Sequence, residues 1–278
     1  MRAPSNAFEA DPLLPVVEVA RTRWTLAGRE PGERRVPEET AVALVHDAST
    51  TAVMMATPAD LEDFAVGFSL SEGAIEQASD IREIEIVVQD SGVEVRMWLS
   101  PTRSGRLATR RRRLAGPTGC GLCGVESLAE AVRPAPVVGA ADLRINPTAL
   151  LEAMSGLSAG QPMGRSTRAM HAAAFWSPVA GVVAVREDVG RHNALDKLVG
   201  ACSRAETMDA SRGVVLLTSR VSVEMVQKAA VLGAPVLCAV SAPTALAIRT
   251  AEMAGITLVA VARSDGFEIF THSQRILT

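Results

Sequence analysis

Two cysteines, Cys120 and Cys123, stand in the glycine-rich stretch "GPTGCGLCGVES", residues 116–127, directly after four consecutive arginines, Arg110 to Arg113. Three chemistries use two thiols at this spacing. A lone C-x-x-C supplies half of a tetrahedral zinc site and needs two further ligands. Those are not at hand in sequence. Cys238 lies inside the apolar run "VLCAV", Cys202 ends a helical pattern, and the four histidines are scattered. A thioredoxin-like redox pair follows a strand and opens a helix. Here the helix "VESLAEAV" follows, but an arginine run precedes. The third chemistry is a nucleophilic thiolate. Arginines and the positive end of a following helix both favour the anion, and such surroundings lower a thiol from ~8.5 by one to several units. Flanking glycines let a second active site approach the sulfur. On spacing alone zinc, disulfide exchange, an inert loop and a sulfur-carrying thiolate all stay open.

The elements around this loop fall into two groups, divided by the proline-rich join "RPAPVVGAADLRINP". Residues 1–15 read as a loose tail. Residues 16–135, which carry the C-x-x-C, read as a small α+β domain. "VEVAR", "AVALVHD" and "TAVMMA" have strand character, and "IREIEIVVQD" with "VEVRMWLS" forms a hairpin by its alternation. "TPADLEDFAVGFSLSEGAI" reads as a helix with Thr57 as N-cap, Pro58 in the first turn and Asp60 closing a capping box. From residue 140 to 278, apolar runs of strand length alternate with helices, which predicts a parallel or mostly parallel sheet covered on both faces. Ligands bind such sheets beyond the carboxyl ends of the strands. The segments there are "REDVGRHN", "TSRVSVE", "SAPT" and "ARSDG", all polar, and they are expected to rim one pocket.

Composition narrows the partners. The chain has 278 residues, 48% hydrophobic, a net charge of −3 and a pI near 5.9. That argues against nucleic acid as a partner by charge alone. No apolar run reaches the ~18 residues that span a membrane, and the N-terminus lacks a signal-peptide core, so a cytoplasmic protein is expected. Four cysteines in a chain this long suit a reducing compartment. Among 28 basic residues only Lys197 and Lys228 are lysines, and asparagine occurs only at Asn6, Asn146 and Asn193. A lysine that survives this drift to arginine suggests a place where a guanidinium will not serve.

"TGCGLCG", "MHAAAF", "REDVGRHNALDKLVG", "TSRVSVEMVQKAA", "VSAPTALAI", "GITLVAVAR" and, earlier, "MATPADLEDFAVGFSLSEGAI" occur in an order that resembles the formate dehydrogenase accessory sulfurtransferase (FdhD/NarQ) family, from about residue 15 to the C-terminus. The resemblance implies an α/β protein whose C-terminal half is a cytidine-deaminase-like three-layer α/β/α domain beside the smaller N-terminal α+β domain. It implies a homodimer and a sulfur carrier with a cysteine persulfide. Sulfur would pass from a cysteine desulfurase to the molybdenum cofactor in its bis(molybdopterin guanine dinucleotide) form, destined for formate dehydrogenase apoprotein. Cys120 maps to the persulfide cysteine, with Cys123 as partner. The cofactor loop maps to the segment after the last strand, Val261, Ala262, Arg263, Ser264, Asp265 and Gly266. A guanine nucleotide is the expected mimic of the cofactor.

Residue chemistry extends that site. Pyrophosphate wants helix-start N–H groups and cationic side chains, which Gly190, Arg191, His192, Ser241 and Thr244 offer. Guanine presents an amide edge suited to Asp188 or Asp265. His171 belongs to the same pocket. Zinc deaminases need H-x-E; His171-Ala172-Ala173 lacks the glutamate, so the fold carries over without deamination. The resemblance also leads us to expect a threonine–glycine pair before His171, where this chain has Thr167-Arg168. That arginine reads as a phosphate contact or a solvent-facing side chain. Asp196 with Lys197 reads as part of the site or as a solvated helix face, Glu224 with Lys228 as an i,i+4 pair, and Trp24, Trp98 and Trp176 as core or interface. The alternative function is a nucleotide-binding redox or zinc assembly chaperone without covalent sulfur transfer.

Overall fold

A computed structural model describes residues 13–105, 134–139, 142–205 and 207–277. Arg110 to Arg113, Cys120 and Cys123 therefore lie outside the described residues. No described helix is long and apolar enough to cross a membrane.

The chain is mixed α/β, as expected. Its N-terminal part begins with a two-stranded ribbon, β1 (Val16–Thr25) and β2 (Gly28–Pro37), paired antiparallel over its full length. Next come β3 (Thr40–His46), β4 (Ser49–Ala56), β5 (Ile81–Gln89) and β6 (Gly92–Leu99), which form a sheet in the order β4-β3-β6-β5. The β5–β6 hairpin forms as its alternation predicts.

Helix α1 (Leu61–Ser71) covers this sheet with Leu61, Phe64 and Phe68 against Val42, Leu44, Val93, Val95 and Met97. It starts three residues later than its capping signals suggest. Asp60, at φ 53°, is the N-cap and its side chain caps nothing. Thr57 is used elsewhere: its hydroxyl accepts from the Val189 N–H at 3.2 Å and its own N–H donates to Asp188 at 3.0 Å. A local capping pattern has lost to a long-range one.

The larger sheet has six strands in the order β12-β11-β10-β9-β7-β8. These are β7 (His171–Ser177), β8 (Gly181–Asp188), β9 (Val214–Leu217), β10 (Val236–Ala239), β11 (Thr257–Arg263) and β12 (Gly266–Ile269). Only β9, β10 and β11 run parallel; β7, β8 and β12 add antiparallel edges. The sheet is thus mixed, and Val261–Gly266 does not follow the last strand: it comprises the end of β11, the turn Ser264–Asp265 and the first residue of β12.

Side-chain alternation builds a core on each face. Val215, Leu217, Leu237, Ala239 and Leu258 face α4 (Arg191–Arg204), α5 (Val223–Leu232) and α6 (Ala245–Ala254). Val214, Leu216, Val236, Cys238 and Val259 face α2 (Pro147–Gly156) and the turn after it. Asn146 caps α2 by accepting from Thr148 and Ala149, with Pro147 in the first turn. A short helix, α3 (Pro162–Thr167), leads into β7.

The two parts meet along α1 and α4, which share a core through Val66, Leu70, Leu195, Leu198 and Val199. Their backbones nearly touch. A Cβ on Gly67 would stand 1.7 Å from the Asp196 carbonyl oxygen, and one on Gly200 would stand 1.8 Å from that of Asp63. Only hydrogen fits at either place. Gly200→Ala should force the helices apart and cost about 3 kcal/mol, the upper end for overpacking. A urea midpoint unchanged from that of the unsubstituted chain would contradict the contact.

Candidate functional site

The carboxyl ends of β9, β10 and β11 lie on one sheet edge, and β7 enters and β8 leaves there because both pair antiparallel into the same register. His171 is paired with Asp188, and Ala173 with Leu217. Thr218 ties β9 to β7, donating its N–H to the Ala172 carbonyl at 3.1 Å while its hydroxyl accepts the Ala172 N–H at 2.8 Å. The edge therefore brings together two clusters of the predicted residues. One holds His171, Asp188, Gly190, Arg191 and His192 by β7, β8 and the start of α4. The other holds Ser241, Thr244 and Val261 to Gly266 by β10, β11 and the β11–β12 turn. They stand three strand spacings apart, about 14 Å at ~4.8 Å per strand.

In the second cluster the Val261 N–H reaches the Ser241 carbonyl at 3.5 Å, and the Arg263 guanidinium donates to the carbonyls of Val240 and, at 2.9 Å, Ala262. Thr244 caps α6 by accepting the Ala247 N–H at 3.2 Å. Arg263, Ser264 and Asp265 are exposed. Val261 has φ 53°, a left-handed conformation that is an outlier for a β-branched residue, and it sits where the β11–β12 register shifts between Ala260 and Arg263.

In the first cluster Asp188 is wholly buried and all of its acceptor positions are taken. Oδ1 accepts from Gly190 N–H at 2.7 Å and Asn193 at 3.0 Å; Oδ2 accepts from Thr57 N–H at 3.0 Å and from Lys197 Nζ at 2.6 Å. It cannot offer guanine an edge, and the Gly190 N–H is not free for phosphate. The aspartate instead holds the loop that aims Arg191 and His192. Burial, reinforced by the Arg191 guanidinium, depresses the His192 imidazole to about 4 and pushes His171 below its ordinary value as well. Arg191 Nε and His192 Nε2 are buried without a hydrogen-bond partner among the described residues. His192 lines a small pocket with Glu72, Asp196, Glu224, Gln227 and Lys228, and its Nε2 stands 3.9 Å from the Glu224 carboxylate.

Neither lysine is on a solvated face. Lys197 Nζ, fully buried, also donates to the Thr57 carbonyl at 2.9 Å, and burial depresses its ammonium against the pull of Asp188. Lys228 is not paired with Glu224. It donates to both Asp196 oxygens, at 2.6 and 2.7 Å, and Ser71 donates to Oδ1 at 2.7 Å. Burial pushes the Asp196 carboxyl up, opposed by that ammonium. Adjacent residues of α4 thus reach in opposite directions, each into a buried pair. Sequence reasoning missed both pairings; the rarity of lysine was the available signal. It missed Glu187 too, which is buried and accepts the N–H groups of Met163 and Gly164 at 3.0 and 2.6 Å, fixing α3 beneath His171.

The described cysteines are not candidates for chemistry. Cys202 and Cys238 are buried, and burial pushes both thiols up to about 12. Among the described residues no group of three or more His, Cys, Asp and Glu side chains could hold a metal ion.

The model of the FdhD/NarQ family matches residues 37–277, nearly the whole described chain. This chain belongs to the FdhD/NarQ family. Relatives support the assignment. The sulfur carrier protein FdhD of Agrobacterium fabrum is 53% identical over 259 residues, covering 93% of this chain and 95% of its own. That of Brucella abortus is 50% identical over 252 residues, covering 91% and 93%. The crystal structure of a proposed formate dehydrogenase accessory protein from Desulfotalea psychrophila superimposes with a TM-score of 0.72 at 25% identity, over 95% of this chain and all of the other.

The resemblance to FdhD/NarQ proteins led us to expect glycine where Arg168 stands, and the backbone supplies the reason. Arg168 is the C-cap of α3, at φ 59° and ψ 29°, the left-handed position that glycine fills without strain. An L-residue pays ~1–2 kcal/mol there, part of which glycine returns through its freer unfolded chain. Arg168→Gly should raise stability by about 0.5–1 kcal/mol, read as a higher urea midpoint at unchanged slope. A lower midpoint would mean that the guanidinium stabilises more than the backbone costs.

Proposed function

We propose that this protein carries sulfur from a cysteine desulfurase to the molybdenum cofactor, in its bis(molybdopterin guanine dinucleotide) form, for formate dehydrogenase. Membership of a family whose close relatives are named sulfur carriers supports this, together with one observation about this chain. Of its four cysteines, the two described ones are buried and hold their protons far above neutral pH, which leaves Cys120 and Cys123 for sulfur chemistry. In the reading, the Cys120 thiolate attacks the terminal sulfur of the desulfurase persulfide. The S–S bond of the donor breaks, the desulfurase cysteine leaves as its thiolate, and Cys120 becomes the persulfide. On delivery the S–S bond of the Cys120 persulfide breaks: the outer sulfur passes to the cofactor as a zero-valent atom, two electrons supplied by the reduced acceptor make it sulfide, and Cys120 leaves as its thiolate. The cofactor is bound as substrate along the sheet edge, with its phosphates by Arg191 and Arg263 and guanine by the exposed Asp265.

The test is intact-protein mass after incubation with a cysteine desulfurase and cysteine. A gain of one sulfur, removed by reductant, is expected. Stoichiometric zinc with no sulfur gained would replace this reading with that of an assembly chaperone.

A further inference from the structure

A pocket of about 520 Å³ opens between the β1–β2 ribbon and α3, and its walls are arginine: Arg21, Arg23, Arg34, Arg35 and Arg168, with Glu33 the single carboxylate. Arg21 and Arg23 share one face of β1 by the two-residue period of a strand. Across the ribbon Arg21 is opposite Gly32, and its guanidinium lies over that glycine, within ordinary van der Waals reach of where a Cβ would stand. Arg34 docks the ribbon on α3, donating to the Thr167 carbonyl at 3.1 Å. Arg168 follows Thr167 and is held in its left-handed turn beside them.

Among the described residues this charge is only partly answered: Glu33 lines the pocket, and Glu30 and Glu18 stand opposite Arg23 and Arg35 across the ribbon without closing an ion pair. The side chains of Arg21, Arg23, Arg35 and Arg168 make no ion pair or hydrogen bond with the described residues, and Arg21 Nη1 is buried without a hydrogen-bond partner among them. Guanidinium groups repel one another, and a group taken out of water without a partner is costly. Both penalties vanish when an oxyanion enters, because a guanidinium presents paired N–H groups that match the oxygens of phosphate. None of Ser241, Thr244 or Val261 to Gly266 lines the pocket.

We propose that this pocket is a binding site for a phosphate-type oxyanion, a free pyrophosphate or the phosphate group of a small phosphorylated ligand, separate from the Arg263 loop. It does not depend on sulfur transfer. The test is calorimetric titration of the full chain with inorganic pyrophosphate at low salt, on the unsubstituted protein, on Arg21→Gln, on Arg168→Gln and on Arg263→Ala. Arg21→Gln and Arg168→Gln should each weaken pyrophosphate at least tenfold while the unliganded protein melts at the same temperature or higher, since repulsion is relieved. Arg263→Ala should retain the affinity. Phosphate esters that compete with pyrophosphate would identify the bound group of a larger ligand as the source. Pyrophosphate affinity unchanged in Arg21→Gln and Arg168→Gln, or lost only in Arg263→Ala, would overturn the proposal. So would binding of a polyglutamate peptide with no response to pyrophosphate, which would make the pocket a protein-docking surface.

Discussion

Lys197→Met is expected to remove about 3–5 kcal/mol of folding stability, the cost of leaving a buried charge without its partner. The methionine stem fills most of the lysine's path, so packing changes little. What is lost is the ammonium that donates to Asp188 Oδ2 at 2.6 Å and to the Thr57 carbonyl at 2.9 Å. Asp188 is inaccessible to water and keeps only its three remaining donors. Urea unfolding of the single variant should show the loss as a large fall in midpoint. Asp188→Asn placed on top of Lys197→Met should recover part of it, because the second change removes the stranded charge. The two substitutions should therefore be strongly non-additive. A loss below about 1 kcal/mol, or simple additivity, would show that the pair does not carry the weight its geometry implies.

Cys120→Ala is expected to abolish persulfide loading while leaving the urea midpoint where it was. Cys123→Ala should retain loading with a shorter-lived persulfide, as befits a thiol that shields or resolves it. The chain offers a clean background for this measurement. Cys202 and Cys238 are buried with thiols at about 12, so alkylation of the folded protein near neutral pH should mark Cys120 and Cys123 alone. Full loading of the Cys120→Ala protein would move the carrier role to Cys123 or overturn covalent carriage altogether.

Much of the fold was legible because its signals are local. Helices α2, α4, α5 and α6 and strands β9, β10 and β11 announce themselves through unbroken apolar runs and helical spacing, since both faces of the sheet are covered. The β1–β2 ribbon hid its second strand: "GREPGERRVP" is exposed along nearly its whole length, so no face needed apolar residues. Strand β7, "HAAAFWS", is mostly alanine where it meets α4, and alanine carries no strand preference. Strand β12 has only four residues. At the site, the clustering of polar strand ends was readable from topology, whereas the pairing of Lys197 with Asp188 and of Lys228 with Asp196 was not. Those partners are chosen by which way α4 rolls, a property of packing. Composition alone gave notice, through two lysines in a chain that otherwise uses arginine.

The glycine contact between α1 and α4 also bears on how this protein can change through time. The hydrogen at Gly67 is matched to the backbone of Asp196, and the hydrogen at Gly200 to that of Asp63. Each helix is cut to the shape of the other, and Ser71 and Thr57 add donors and acceptors that only the second part can use. A chimera joining the first part of one relative to the second part of another would inherit half of each match. A crossover between α1 and α4 is therefore expected to break the match, because the sequences of these two helices must descend together.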